Sequence, residues 1–256
     1  MNEAEARAAL VAAGRRLGSR GLIAAGEGNL SIRLDETRLV ITPAGHRKDE
    51  LSADDLVIVD LRAADGGADD AAVGGRRSND GGASSDLRIH RAVLARRPDV
   101  EAVAHAHLPA AMALTLAGEI PDPAARPATA LLLPRLPFVA LGVPGSADLA
   151  ARIAASLGGD GDQAATGDGR ELPRAVVLER HGAVAVGATI DQAVNRLELV
   201  EVLCRTIRDG LLVQAARAML APGGDRAPGS WTASTGAAPR DSVEVSEPPR
   251  HTQPPG

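Results

Sequence analysis

A chain of 256 residues with no tyrosine, one phenylalanine (Phe138) and one tryptophan (Trp231) cannot build an aromatic core. Its interior has to be assembled from Ala, Val, Leu and Ile. With 45% hydrophobic residues there is enough chain for one large domain or two small ones. The same shortage limits the chemistry. No tyrosine is available as a general acid. Lys48 is the only lysine, so a Schiff-base route has a single candidate. Stacking of bases on aromatic platforms is essentially excluded as a way to hold single-stranded nucleic acid. Codon bias in a GC-rich genome produces a similar Ala/Gly/Arg-rich composition, and the chemical exclusions hold either way.

The formal net charge of −5 argues further against a nucleic-acid partner, because phosphate neutralisation needs a basic face. The single cysteine, Cys204, rules out an intramolecular disulfide and a cysteine-based zinc site. Its apolar helical surroundings predict a buried thiol. No apolar run reaches the ~18 residues of a membrane span. Residues 1–10 are acidic and amphipathic, unlike a secretory signal. A cytoplasmic location without a membrane partner is expected.

The hydrophobic pattern predicts mixed elements. Residues 2–17 read as a helix, with Leu10, Val11, Ala13 and Leu17 on one side. Leu30–Leu34 and Leu39–Thr42 suggest a hairpin, and Leu56–Leu61 another strand. Residues 62–83 are Gly/Ala/Asp-rich and predict a flexible insert loop. Helical spacing resumes over 86–96, then a strand over 100–107 and a helix opened by Pro109. The Pro-interrupted stretch 131–142 suggests an edge strand. Ser146 caps a helix ending near Gly158, and a second Gly/Asp-rich loop follows to Gly169. Residues 175–179 and 183–187 form a hairpin-like pair. Thr189 and Gln192 open a long helix whose apolar face reaches Ile207. Residues 221–256 are expected to be a disordered Pro/Gly-rich tail. The order predicts one α/β domain over 1–220, a three-layer α/β/α sandwich with a largely antiparallel central sheet.

The candidate chemistry lies in the histidines. His105 and His107 are two apart in a strand, so both side chains leave the same face and can share one metal ion. His181 lies at a hairpin turn, before Gly182. Asp86 opens a helix, where an ordinary capping aspartate is the competing reading. Three histidines and a carboxylate make an N/O set that suits Zn²⁺. His90, one turn after Asp86, reads as a supporting or structural histidine. His46 and His251 lie in polar segments. The turns at Gly26–Asn29, Thr42–Gly45 and Ser84–Ser85 together offer backbone N–H groups, hydroxyls and a helix N-terminus, parts that bind an anion such as phosphate.

Five segments in order, residues 28–33 (GNLSIR), 41–45 (ITPAG), 84–90 (SSDLRIH), 102–107 (AVAHAH) and 180–187 (RHGAVAVG), resemble the motif series of the class II aldolase/adducin family over roughly residues 5–215. The resemblance implies Zn²⁺ held by His105, His107 and His181, with Asp86 as a further ligand and catalytic carboxylate. It implies an anion loop of Gly28, Asn29, Ala44, Gly45, Ser84 and Ser85. It also implies a homotetramer and a sugar or sugar-phosphate substrate. The implied activity is a Zn²⁺-dependent aldolase acting on an L-fuculose-1-phosphate-like keto-sugar phosphate through a metal-stabilised enediolate. A sugar-phosphate 4-epimerase or a sugar-acid decarboxylase is the alternative, and a non-catalytic adducin-like interaction domain a third reading. Aspartate at position 86 is similar to the epimerases, where the aldolases carry glutamate. The tyrosine proton donors common in the family have no counterpart here. Lys48, just after the ThrProAlaGly turn, is expected to face solvent or an anion.

Glu27 and Ala44 stand where phosphate-binding relatives tend to offer a small or hydroxyl residue. A carboxylate beside a phosphate costs about 4 kcal/mol per charge pair at ~4 Å and an effective dielectric near ~20. If Glu27 points into the site, a substrate with less negative charge is implied. If it points outward, the objection disappears.

Overall fold

The computed structural model describes residues 1–62, 82–158 and 171–220. Most of the predicted insert loop 62–83, nearly all of the loop 158–169 and the whole tail 221–256 lie outside the described residues. Helix α1 (Glu3–Ser19) opens on a capping box between Asn2 and Glu5. Strands β1 (Asn29–Arg33), β2 (Arg38–Ile41) and β3 (Val57–Asp60) form an antiparallel meander. Helix α2 (Leu87–Arg96), strand β4 (Ala102–Ala106), and helices α3 (Pro109–Leu116) and α4 (Pro127–Leu132) follow. Then come β5 (Phe138–Val139), α5 (Ala147–Ser156), β6 (Ala175–Leu178), β7 (Gly182–Gly187) and α6 (Ile190–Leu220).

The strands make one sheet in the order β3-β2-β1-β4-β7-β6-β5, antiparallel except for β5 beside β6. Strand alternation sends successive residues to opposite layers. Ala102, Ala104, Ala106, Ala183 and Ala185 pack against the buried faces of α1, α3 and α6. Val103, Val184 and Val186 pack against α2 and α5. The small side chains of β4 and β7 let α6 lie close to the sheet. This is how a core with almost no aromatic residues closes. The fold is the α/β/α sandwich expected from the pattern.

One element differs from its sequence reading. The stretch 131–142 is not one strand. Pro127 opens α4, Pro134 keeps Leu133 out of the helical region (φ −135°, ψ 68°) and ends it, and only Phe138–Val139 reach the sheet edge. Helix α6 runs on beyond Ile207 to Leu220, and its distal half leaves Leu212, Met219 and Leu220 exposed. Cys204 is buried, as its helical spacing predicts. Among the described residues no helix is long and apolar enough to cross a membrane.

Candidate metal centre

His105 is the penultimate residue of β4 and points to the α2 side of the sheet. It is fully buried, and its Nδ1 lies 3.0 Å from the Ala183 carbonyl on the neighbouring strand. That contact makes Nδ1 the protonated nitrogen and leaves the lone pair on Nε2. Among the described residues, Nε2 of His105 has no hydrogen-bond partner. Burial pushes the ring down to about 3 against the pull of Asp86, so the ring is neutral at physiological pH. A buried, unpaired lone pair fits a metal ion, which would satisfy it.

Two further rings complete the cluster. His107 follows β4 on the same face, and His181 sits in the β6–β7 turn. The three ring centroids lie 5.0, 4.9 and 4.8 Å apart, all edge-on to one another. One ligand nitrogen from each ring can be chosen so that all lie within 4.8 Å of one another. His181 is also pushed down by burial and by its proximity to His107. The turn that delivers it depends on Gly182. Its φ is +106°, and a Cβ there would sit 2.2 Å from the Ala106 carbonyl. Only glycine lets this turn close onto the end of β4. Arg180, just before His181, takes a left-handed φ of +53°, and its N–H donates to Thr115 Oγ1.

Asp86 is buried beside the cluster, with Oδ2 3.9 Å from His105 Nε2. It occupies the cap position of α2, yet its side chain makes no capping bond. The Asn29 amide holds it instead, donating to Oδ2 at 2.8 Å. Asn29 Oδ1 lies 2.6 Å from His90 Nε2, and Ser31 Oγ 2.6 Å from His90 Nδ1. A neutral His90 with its proton on Nε2 satisfies both contacts: the ring donates to Asn29 and accepts from Ser31. Burial pushes His90 down to about 4, which keeps it in that neutral form. Burial also pushes the Asp86 carboxyl up, but His105 and the Asn29 amide outweigh this and hold it below the usual carboxylate range. His90 is thus a buried, fully hydrogen-bonded ring that reaches Asp86 through Asn29, an arrangement open to both readings of its spacing.

The structure also brings the anion-loop residues together. Pro43 bridges to Ala83 and the Ala44 N–H donates to Gly82 O, which sets 44–45 beside 84–85. Gly26 packs against Gly45, and Gly28 is pressed onto β4, where a Cβ would be 2.8 Å from His105 O. Gly45 faces open space and Ser85 is exposed. Ser84 is buried, and its Oγ accepts from the Asp86 N–H. The Asn29 side chain is turned to Asp86 and His90.

Lys48 corrects the expectation that it faces solvent or an anion. It is only 2% exposed, and Nζ donates to Gly26 O and His46 O, both at 2.7 Å. Burial pushes the amine down to about 8, with Asp86 opposing. The one lysine is a brace that ties the loop before β1 to the loop after β2. A second residue that the sequence reading missed is Glu201 on α6. Its buried carboxylate accepts from the Ala110 N–H at 3.2 and 3.0 Å, which anchors the start of α3 just after His107. Glu27 points inward: its Oε1 is 3.4 Å from His107 Nδ1.

The sequence model described as "Class II Aldolase and Adducin N-terminal domain" matches residues 8–207. The chain belongs to this family. The chain is 31% identical over 198 residues to 5-methylthioribulose-1-phosphate/5-deoxyribulose-1-phosphate aldolase of Rhodospirillum rubrum, covering 77% of each chain. It is 32% identical over 210 residues to methylthioribulose-1-phosphate dehydratase of Acidiphilium cryptum, covering 76% of this chain and 85% of that one. Relatives named as decarboxylases occur as well. Among solved class II aldolase structures, L-fuculose-1-phosphate aldolase from Thermus thermophilus superposes with a TM-score of 0.64 at 26% identity. That match covers 86% of this chain and all of the other.

Proposed function

We propose that this chain is a Zn²⁺-dependent aldolase that cleaves a small ketose 1-phosphate, similar in kind to L-fuculose 1-phosphate. The observation that carries the reading is the buried, unpaired Nε2 of His105 facing His107 and His181, with the Asp86 carboxylate alongside. The Rhodospirillum, Acidiphilium and Thermus relatives all carry names that refer to a keto-sugar 1-phosphate.

His105, His107, His181 and Asp86 are the residues that would hold the ion. When bound, Zn²⁺ supplies Lewis acidity at the substrate carbonyl. The chain's residues do the rest. Gly28, Asn29, Ala44, Gly45, Ser84 and Ser85 form the loop cluster for the phosphate, with the N-terminus of α2 adding its dipole. Asp86 is held as a carboxylate by Asn29, ready to accept the hydroxyl proton at the carbon that becomes the aldehyde. The carbon–carbon bond between the two products breaks, and its electron pair flows toward the carbonyl. The proton then returns to the carbon that has lost its bond. The carboxylate of Glu27 reaches His107, the orientation that weighs against a highly charged substrate; a bound Zn²⁺ held by the histidines and Asp86 would supply two positive charges to offset the negative charges of Asp86 and Glu27. No lysine is required, consistent with Lys48 being structural. Exposed Leu131, Leu132, Leu212 and Leu220 support a homotetramer, in which such apolar side chains would be covered.

Incubating the Zn²⁺-loaded chain with ketose 1-phosphates tests the reading. Release of dihydroxyacetone phosphate and an aldehyde is expected. Loss of water without carbon–carbon cleavage would instead assign a dehydratase. An epimeric product would assign a 4-epimerase, and CO₂ released from a sugar acid would assign a decarboxylase.

A further inference from the structure

Glu27 is placed by its neighbours. Its own N–H donates to Ala24 O at 2.9 Å, closing a tight turn in which Ala25 has a φ of +48°. On one side, the Gly26 carbonyl is tied down by the buried Lys48 ammonium at 2.7 Å. On the other, Gly28 is pressed against the end of β4 with a φ of +70°. The residue between two pinned glycines has little freedom, and its half-exposed carboxylate reaches the side of His107 that carries Nδ1, at 3.4 Å.

His105 and His107 each have an oxygen near Nδ1. Nδ1 of His105 is hydrogen-bonded to the Ala183 carbonyl at 3.0 Å, and Nδ1 of His107 has the Glu27 carboxylate beside it at 3.4 Å, an ion-pair distance from which a small rotation would make the hydrogen bond. An acceptor at Nδ1 draws the ring proton there and leaves Nε2 as the donor atom. A charged carboxylate is a stronger hydrogen-bond acceptor than a carbonyl.

We propose that Glu27 is a positioning residue of the metal centre, which orients His107 through Nδ1–H so that Nε2 faces His105 and His181. The inference rests on the three histidines being a metal site and deepens that reading. It gives this loop carboxylate a task apart from substrate contact. Removing such a partner weakens metal binding about 10- to 100-fold.

The test uses the full chain stripped of metal, with Zn²⁺ affinity read by competition against a chromophoric chelator. Co²⁺ absorption serves as a second, spectroscopic readout. Glu27→Ala is expected to weaken Zn²⁺ binding about 10- to 100-fold and to alter the Co²⁺ bands. Glu27→Asp should restore part of the affinity. The near-isosteric Glu27→Gln, which keeps the shape of the loop, should weaken binding by a smaller factor. Glu36→Ala, in the hairpin at the opposite end of β1, should bind as wild type and so controls for the loss of one charge. Zn²⁺ affinity of Glu27→Ala within twofold of wild type, with unchanged Co²⁺ bands, would overturn the proposal while leaving the metal site standing. A wild-type chain that takes up no Zn²⁺ would overturn both.

Discussion

Nδ1 of His105 lies 3.0 Å from the carbonyl of Ala183, and this single contact decides which nitrogen the buried ring offers to the site. The acceptor is main chain on an adjacent strand, so the register of β4 against β7 fixes it. The sheet itself therefore presets one ligand of the candidate centre before any ion arrives. Asp86 is preset in the same way, by Asn29 on β1.

The buried histidines make the metal-free chain sensitive to acid. His90 is pushed down to about 4 and His105 to about 3, both below the ordinary histidine value. Between those values and ~6.5 the unfolded chain binds more protons than the native one, so stability is lost as pH falls through that window. His90 alone should contribute about 2 kcal/mol of loss by about pH 5. Thermal melts of the metal-free chain should show Tm falling from pH 7 to 5, with a shallower fall for His90→Gln. A flat Tm would contradict a buried, neutral His90 held between Ser31 and Asn29.

Lys48→Met tests the brace. It keeps the bulk of the side chain but leaves the carbonyls of Gly26 and His46 without their donor, at a cost of about 1–3 kcal/mol each if they stay buried. Denaturant unfolding should register that loss, and KM should rise more than kcat falls, because the braced loops are those assigned to the anion. Unchanged stability and KM would show that the ammonium is not structural.

Gly182→Ala tests the close approach of the β6–β7 turn. The added Cβ would meet the Ala106 carbonyl at 2.2 Å, in a backbone conformation that alanine disfavours. A loss of about 2–4 kcal/mol is expected, together with weaker metal binding because His181 is displaced. Wild-type stability would contradict the packing of this turn against β4.

What the sequence made legible follows from periodicity. The alternation in residues 102–107 put His105 and His107 on one face, and the strands and helices around them followed from the same rule. Stretch 131–142 was legible only in part: its strand does lie at the sheet edge, but three prolines in and near it, Pro127, Pro134 and Pro137, impose boundaries that only tertiary contacts resolve. Lys48 was misread because a lone lysine is almost always solvated. Its acceptors include the Gly26 carbonyl, 22 positions away, which no local pattern reveals. The inward direction of Glu27 and the capping of α3 by Glu201 likewise depend on how loop and helix ends meet in space.

The central claim is that His105, His107 and His181 hold one metal ion. Elemental analysis of the chain purified without chelator and supplied with Zn²⁺ tests it most directly, set beside His105→Ala treated identically. The account predicts about one zinc per wild-type chain and a small fraction of that in His105→Ala, with cleavage activity lost in parallel. Equal zinc in both proteins, or none in the wild type, would contradict it.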